Sequence, residues 1–198
     1  KSMRRNTRHI SAMLVVACLV STAMGAAAQE IGQTFQARII DTKNALPDRT
    51  STNLRFGLDS VTPDEEVVEL ARVLAEQGPR ALTSRLEKLD RGWIQFGARS
   101  SYPLSFVRVF EREEGGRLLR LMTHRPIGMA EAFSNFRTTD YPFTILEIQL
   151  DENDRGEGRM MVGAKLEFEG TQLEVTSYGL EPFQVVPVME TGKKKKKT

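Results

Sequence analysis

The sequence predicts an α+β fold: an antiparallel β-sandwich or partly closed β-barrel of about seven to nine strands, with a helical pair packed against it. Three observations carry this expectation. Apolar and polar residues alternate along most of the chain, which is the period of a half-buried strand. The connections between alternating runs are short and rich in Gly, Asp and Asn, as antiparallel hairpins require. Helical spacing of apolar residues is confined to about 63–90, so helices are segregated rather than interleaved with strands.

Residues 1–28 read as a cleavable signal peptide. Arg4, Arg5 and Arg8 precede a mostly apolar stretch over 10–24, and Ala26-Ala27-Ala28 offers a small-residue cleavage site before Gln29. That stretch is shorter than the roughly 20 apolar residues a spanning helix needs. Leu14-Val15-Val16-Ala17-Cys18 offers a second processing site, resembling a lipoprotein box in which Cys18 would be acylated, although further apolar residues follow it. The expected location is periplasmic or secreted, with the lipoprotein as the alternative. Cys18 is the only cysteine, so cleavage at Ala28 leaves no disulfide, thiol nucleophile or thiolate metal site.

The body, 29–190, is expected to be a single β-rich domain. Residues 31–41 read as a strand with Phe35, Ala37 and Ile39 on one side, 45–52 as a loop around Pro47, and 54–58 as a second short strand. Thr62-Pro63-Asp64-Glu65 then presents an N-cap hydroxyl, a proline at the first helical position and a glutamate three residues after the cap. Val67, Leu70, Ala71 and Leu74 form the apolar face of that helix, and Gly78-Pro79 ends it. A second helix over about 80–90 buries Leu82, Leu86 and Leu89, and 93–99 returns to strand with Ile94, Phe96 and Ala98 on one face.

The centre of the chain is 104–178. Strands over 104–113 and 117–124 flank Gly115-Gly116, whose permissive backbone suits a tight reversal. Strands over 143–150 and 159–169 flank the polar turn 151–156, and Gly170-Thr171 leads to a strand over 172–178. Met160, Val162, Ala164, Leu166 and Phe168 share one parity and are expected on one buried face. The last strand covers 183–188, and 191–198 reads as a disordered basic tail.

Charge is distributed unevenly. Of the 28 basic groups, four lie in residues 1–28 and five in Lys193, Lys194, Lys195, Lys196 and Lys197, which leaves 19 against all 26 acids in 29–192. A body at −7 argues against nucleic acid as a partner, since phosphate recognition needs a basic face. The lysine tail is either a solvated terminus or a tether to an anionic membrane surface, where each Lys contributes about 1 kcal/mol.

The chemistry is bounded by what the body contains. His9 lies in the leader, so His124 is the only histidine after cleavage, which excludes multi-histidine zinc sites. A serine triad would combine His124 with Asp140 and one of Ser100, Ser101, Ser105 or Ser134, but no Gly-x-Ser-x-Gly elbow is present. The turn 151–156 has a calcium-loop beginning, yet Val162 stands where such a loop needs a bidentate carboxylate. Glu131, Asp140, Glu147 and Glu157 are carboxylates available to a hydrolase, without a spacing that selects them. No phosphate-cradling loop or dinucleotide fingerprint occurs, and no catalytic residue, metal site or cofactor is assigned.

The connection from Arg125 to Phe143 has no strong strand pattern. Arg125, Phe133, Phe136, Arg137, Asp140 and Tyr141 are its candidate recognition residues, since aromatics, Arg and Asp beyond the strands suit a binding loop. The structural alternative is that its prolines shape entry to the next strand while Asp140 accepts backbone hydrogen bonds and pairs with Arg125 or Arg137. Arg125-Pro126-Ile127-Gly128, Thr139-Asp140-Tyr141-Pro142-Phe143-Thr144-Ile145-Leu146-Glu147 and Gly156-Glu157-Gly158 together resemble a family of small exported bacterial proteins without an assigned activity. The likeness covers roughly 89–188; it implies export and a β-rich domain and supplies no catalytic residues.

The expected function is a non-enzymatic binding or interaction domain of the cell envelope. Its partner would be an envelope protein or a small apolar ligand held in a barrel mouth or sheet–helix cleft. The alternatives are a hydrolase using carboxylates or His124 on the 125–143 connection, and an envelope scaffold tethered by the lysine tail.

Overall fold

The computed structural model describes residues 30–41, 51–98, 101–125, 142–169, 172–177 and 182–193. Its elements are β1 (Glu30–Ile40), β2 (Ser51–Ser60), α1 (Asp64–Leu86), β3 (Gly92–Phe96), β4 (Ser101–Pro103), β5 (Phe106–Glu111), β6 (Arg117–Thr123), β7 (Phe143–Leu150), β8 (Arg155–Glu169), β9 (Gln172–Ser177) and β10 (Phe183–Lys193). The strands form one antiparallel sheet in the order β4-β3-β2-β1-β10-β8-β7-β6-β5, with β9 paired to β8 off that path. The β-rich α+β expectation is therefore met.

The barrel is corrected to an open sheet, since β4 and β5 are its two edges. Yet only Leu104 and Ser105 separate β4 from β5 in the chain, so the sheet has to curl until its edges meet. Across the gap, β5 is met by the segment that follows β2 and not by a ladder to β4. Thr62, beyond the end of β2, donates its N–H to the Val107 carbonyl at 2.8 Å, and its Oγ1 accepts from the Val107 N–H at 3.0 Å. Pro103 at the end of β4 has no N–H to offer a further strand.

The curl encloses the main core. Phe35, Ile39, Leu54, Phe56, Ile94, Leu119, Ile148, Met160 and Val185 face inward from the strands, and Phe35 stacks on Phe56 with centroids 5.0 Å apart. One mouth of the curl is crossed by polar groups: Arg117 on β6 donates to Gln33 Oε1 on β1 at 3.1 Å and pairs with Asp154, while Gln33 donates to Glu190 at 3.3 Å.

A second core lies on the outer face. There Leu70, Val73, Leu74, Leu82 and Leu86 of α1 pack with Met122, Phe143, Ala164 and Leu166. The helical pair is corrected to this single element, which bends at Gly78 (φ 82°, ψ −178°) and continues through Pro79. The expected stop became a kink because proline is tolerated where a helix restarts, its missing N–H having no partner there in any case. The N-cap is also corrected: Pro63 holds that position without a side-chain cap, since the Thr62 hydroxyl is engaged with β5.

The single parity expected for β8 is divided between the two cores. Met160 and Val162 face inward, whereas Ala164 and Leu166 pack under the helix. Gly163 (φ 67°) is the cause: Phe143 pairs with Ala164 but Thr144 with Val162, so one extra residue is inserted and every later side chain changes face. β4 was not anticipated, and β10 runs to Lys193, so residues 191–193 of the expected tail are strand.

Candidate functional site

The two strands that bracket the candidate connection end side by side. β6 finishes at Thr123, whose Oγ1 donates to the Arg125 carbonyl at 2.6 Å, and β7 begins at Phe143, beside Pro142. Of the predicted recognition residues, Arg125 is placed here. Phe133, Phe136, Arg137, Asp140 and Tyr141 lie outside the described residues, as do Glu131, Ser100 and Ser134.

Arg125 is exposed, and its guanidinium sits 4.8 Å from the centroid of the Tyr102 ring. Tyr102 on β4 in turn meets Phe96 edge-on at 6.4 Å and packs against the main core. The three residues therefore form a stack that begins in the interior of the curl and ends in solvent. A guanidinium over an aromatic face gains about 0.5–1 kcal/mol at an exposed site and keeps its N–H edge free for a partner.

Next to the stack, Ser105 Oγ and His124 Nδ1 are 2.8 Å apart. Burial holds the His124 imidazole below its ordinary range; the Glu87 carboxylate opposes that effect and the Arg125 guanidinium adds to it. In the neutral Nε2–H form the serine hydroxyl donates to Nδ1. Of the two described candidate triad serines, Ser101 and Ser105, Ser105 is thus the one that meets the histidine, but it has no exposed surface, and its hydroxyl is not presented to a substrate.

Glu147 does not join this group. It stands directly across from Arg120, four positions before His124 on β6, or about 13 Å away along a strand. Its oxygens are taken by Arg120 Nε at 3.0 Å and Arg159 Nη2 at 3.4 Å. Glu157, opposite Gln149 on β7, lies farther still, so both described carboxylates stand apart from the histidine. No group of three or more His, Cys, Asp or Glu side chains suited to a metal ion occurs among the described residues, and no helix among them is long and apolar enough to cross a membrane.

Sequence reasoning missed Tyr102, which lies in a strand of three residues, too short to show a period. It named Ser105 without a reason to prefer it. The signal was present, since pairing around Gly115-Gly116 sets Phe106 opposite Met122 and so carries Ser105 to the end of β6. Lys193 is the last residue of β10, and Lys194, Lys195, Lys196 and Lys197 lie outside the described residues. Comparison with protein-family models, curated proteins and solved structures finds no match to this chain.

Proposed function

We propose that this chain is an exported, non-enzymatic binding domain of the cell envelope that recognises a partner protein at the rim formed by Tyr102, His124 and Arg125. The connection that follows Arg125 in sequence carries Phe133, Phe136, Arg137, Asp140 and Tyr141, the other candidate recognition residues. Export rests on the basic, apolar and small-residue order of 1–28 and on the resemblance to small exported proteins.

One observation carries the choice of the rim over the interior. Phe35, Leu54, Phe56, Ile94, Leu119, Ile148, Leu150, Met160 and Val185 have no solvent-accessible surface, so no water-sized void adjoins them. Around these residues the interior of the curl is filled by side chains, at the close packing expected of a core. That argues against an apolar ligand held within and moves recognition to the surface, where the Arg125–Tyr102 pair sets an exposed cation on an aromatic ring.

Native mass spectrometry of the protein recovered from the envelope fraction of its own cells tests the proposal. The expected result is a protein complex that survives gentle ionisation and is lost in Arg125→Ala, a substitution at an exposed position. A chain confined to the cytosol, or a complex indifferent to Arg125→Ala and to Tyr102→Ala, overturns it.

A further inference from the structure

The outer face of the sheet carries a row of charged residues that the rim does not use. Register places Arg108 (β5), Arg120 (β6), Glu147 (β7) and Arg159 (β8) directly opposite one another across four adjacent strands. The neighbouring row towards the helix, Phe106, Met122, Ile145 and Met161, belongs to the second core. The charged row is therefore the first one outside the helix footprint.

Two features of this row break the ordinary rules of a sheet surface. Arg108 and Arg120 are like charges directly opposite one another, which costs stability. Both also converge on one exposed aromatic, Phe110, with guanidinium carbons 5.6 Å and 5.4 Å from its centroid. Phe110 follows Arg108 by two residues on the same face and lies diagonal to Arg120, so both guanidinium groups reach it from the same row.

The hydrogen-bond count shows what is left unspent. Arg108 uses Nη1 for the Thr62 carbonyl at 2.8 Å and for Asp64 at 2.6 Å. Arg120 uses Nε for Glu147. Among the described residues, Arg108 Nη2 and both terminal nitrogens of Arg120 have no acceptor. Counting Asp64 and Glu147 against Arg108, Arg120 and Arg159, the cluster keeps one positive charge on a body that is otherwise acidic.

We infer that Arg108, Arg120 and Phe110 form a binding site for an organic phosphate, with the phosphate held by the two guanidinium groups and its apolar substituent resting on the ring. A carboxylate has two oxygens, which one arginine fork fills; a phosphate monoester has three outer oxygens and a second charge, which engage two forks. This site is separate from the rim at Tyr102 and Arg125 and stands whether or not that reading holds.

Phenyl phosphate is the probe, with inorganic phosphate and benzoate as comparisons, added to the full chain while the arginine Nε–Hε and backbone amide resonances are followed by NMR. Shifts are expected at Arg108, Arg120 and around Phe110, saturating in the millimolar range or below and weakening as salt rises. Arg120→Gln should weaken binding at least about tenfold, Arg120→Lys should recover part of it, and Phe110→Ala should reduce phenyl phosphate to the affinity of inorganic phosphate. Benzoate binding as tightly as phenyl phosphate overturns the phosphate assignment. No shift in this row at millimolar probe, or equal shifts in an Arg108→Gln, Arg120→Gln double variant with a native spectrum, overturns the site.

Discussion

Burial of His124 couples the rim to pH. Its folded pKa lies below the unfolded value of 6.5, so in the interval between them the unfolded chain binds more protons than the folded one. Stability is therefore fully present above pH 6.5 and declines as pH falls through that value, levelling off below the folded pKa. Urea midpoints measured from pH 7.5 down to pH 5 should fall in the wild type, and His124→Asn, which keeps a polar group near Ser105 without titrating, should remove the part of the slope that lies just below pH 6.5. An unchanged slope in His124→Asn would place the titration elsewhere. At this scale the sequence was informative about identity and poor about pairing. His124 stood out because it is the one histidine of the body, and hairpin register could have selected Ser105. The contact of Arg117 with Gln33 was not legible, because β6 and β1 are separated by three other strands and meet only through the curl.

Among elements, β8 shows why period alone cannot assign a face. Its alternation is unbroken from Met160 to Phe168, yet one inserted residue at Gly163 sends the first half into the curl and the second half under the helix. No atom lies within 4 Å of where a Cβ at Gly163 would stand, so the requirement for glycine there is conformational (φ 67°) and not steric. Gly163→Ala should therefore destabilise by about 1–2 kcal/mol, the cost of the left-handed region for an L-residue, and Gly163→Asn by less, since Asn visits that region more readily. Denaturant unfolding reads both; equal losses would point to an unseen steric term. Gly57 is the opposite case. A Cβ there would come within 2.3 Å of Trp93 Nε1, because Trp93 lies across the glycine opposite it in register, shielding bare backbone on the outer face. Hairpins β5–β6, β7–β8 and β8–β9 were legible because turn residues and alternation agree there. The kink at Gly78 was misread as a stop because Gly-Pro marks both.

On the scale of the whole molecule, the open question for a curled sheet is what keeps it curled, since twist alone would let the edges splay. The two-residue link from β4 to β5 limits how far they can separate, and α1, tied to β5 through Arg108 and Asp64, braces the outside. Thr62 joins the β5 edge directly to the segment that follows β2. It is fully buried and supplies both a backbone donor and a side-chain acceptor to Val107, standing in for the ladder that full closure would make. None of this could be read from Thr62-Pro63-Asp64-Glu65, which has the form of a helix start; the hydroxyl had two employments available, and tertiary contact decided between them. Thr62→Val keeps shape and removes only the acceptor, leaving the Val107 N–H buried without a partner, a loss of roughly 1–3 kcal/mol. If Thr62 holds the curl, the Val107 amide should exchange faster in Thr62→Val than neighbouring amides of β5 that pair with β6, while Thr62→Ser restores protection. Were the hydroxyl a helix cap instead, the first turn of α1 would lose protection and Val107 would not.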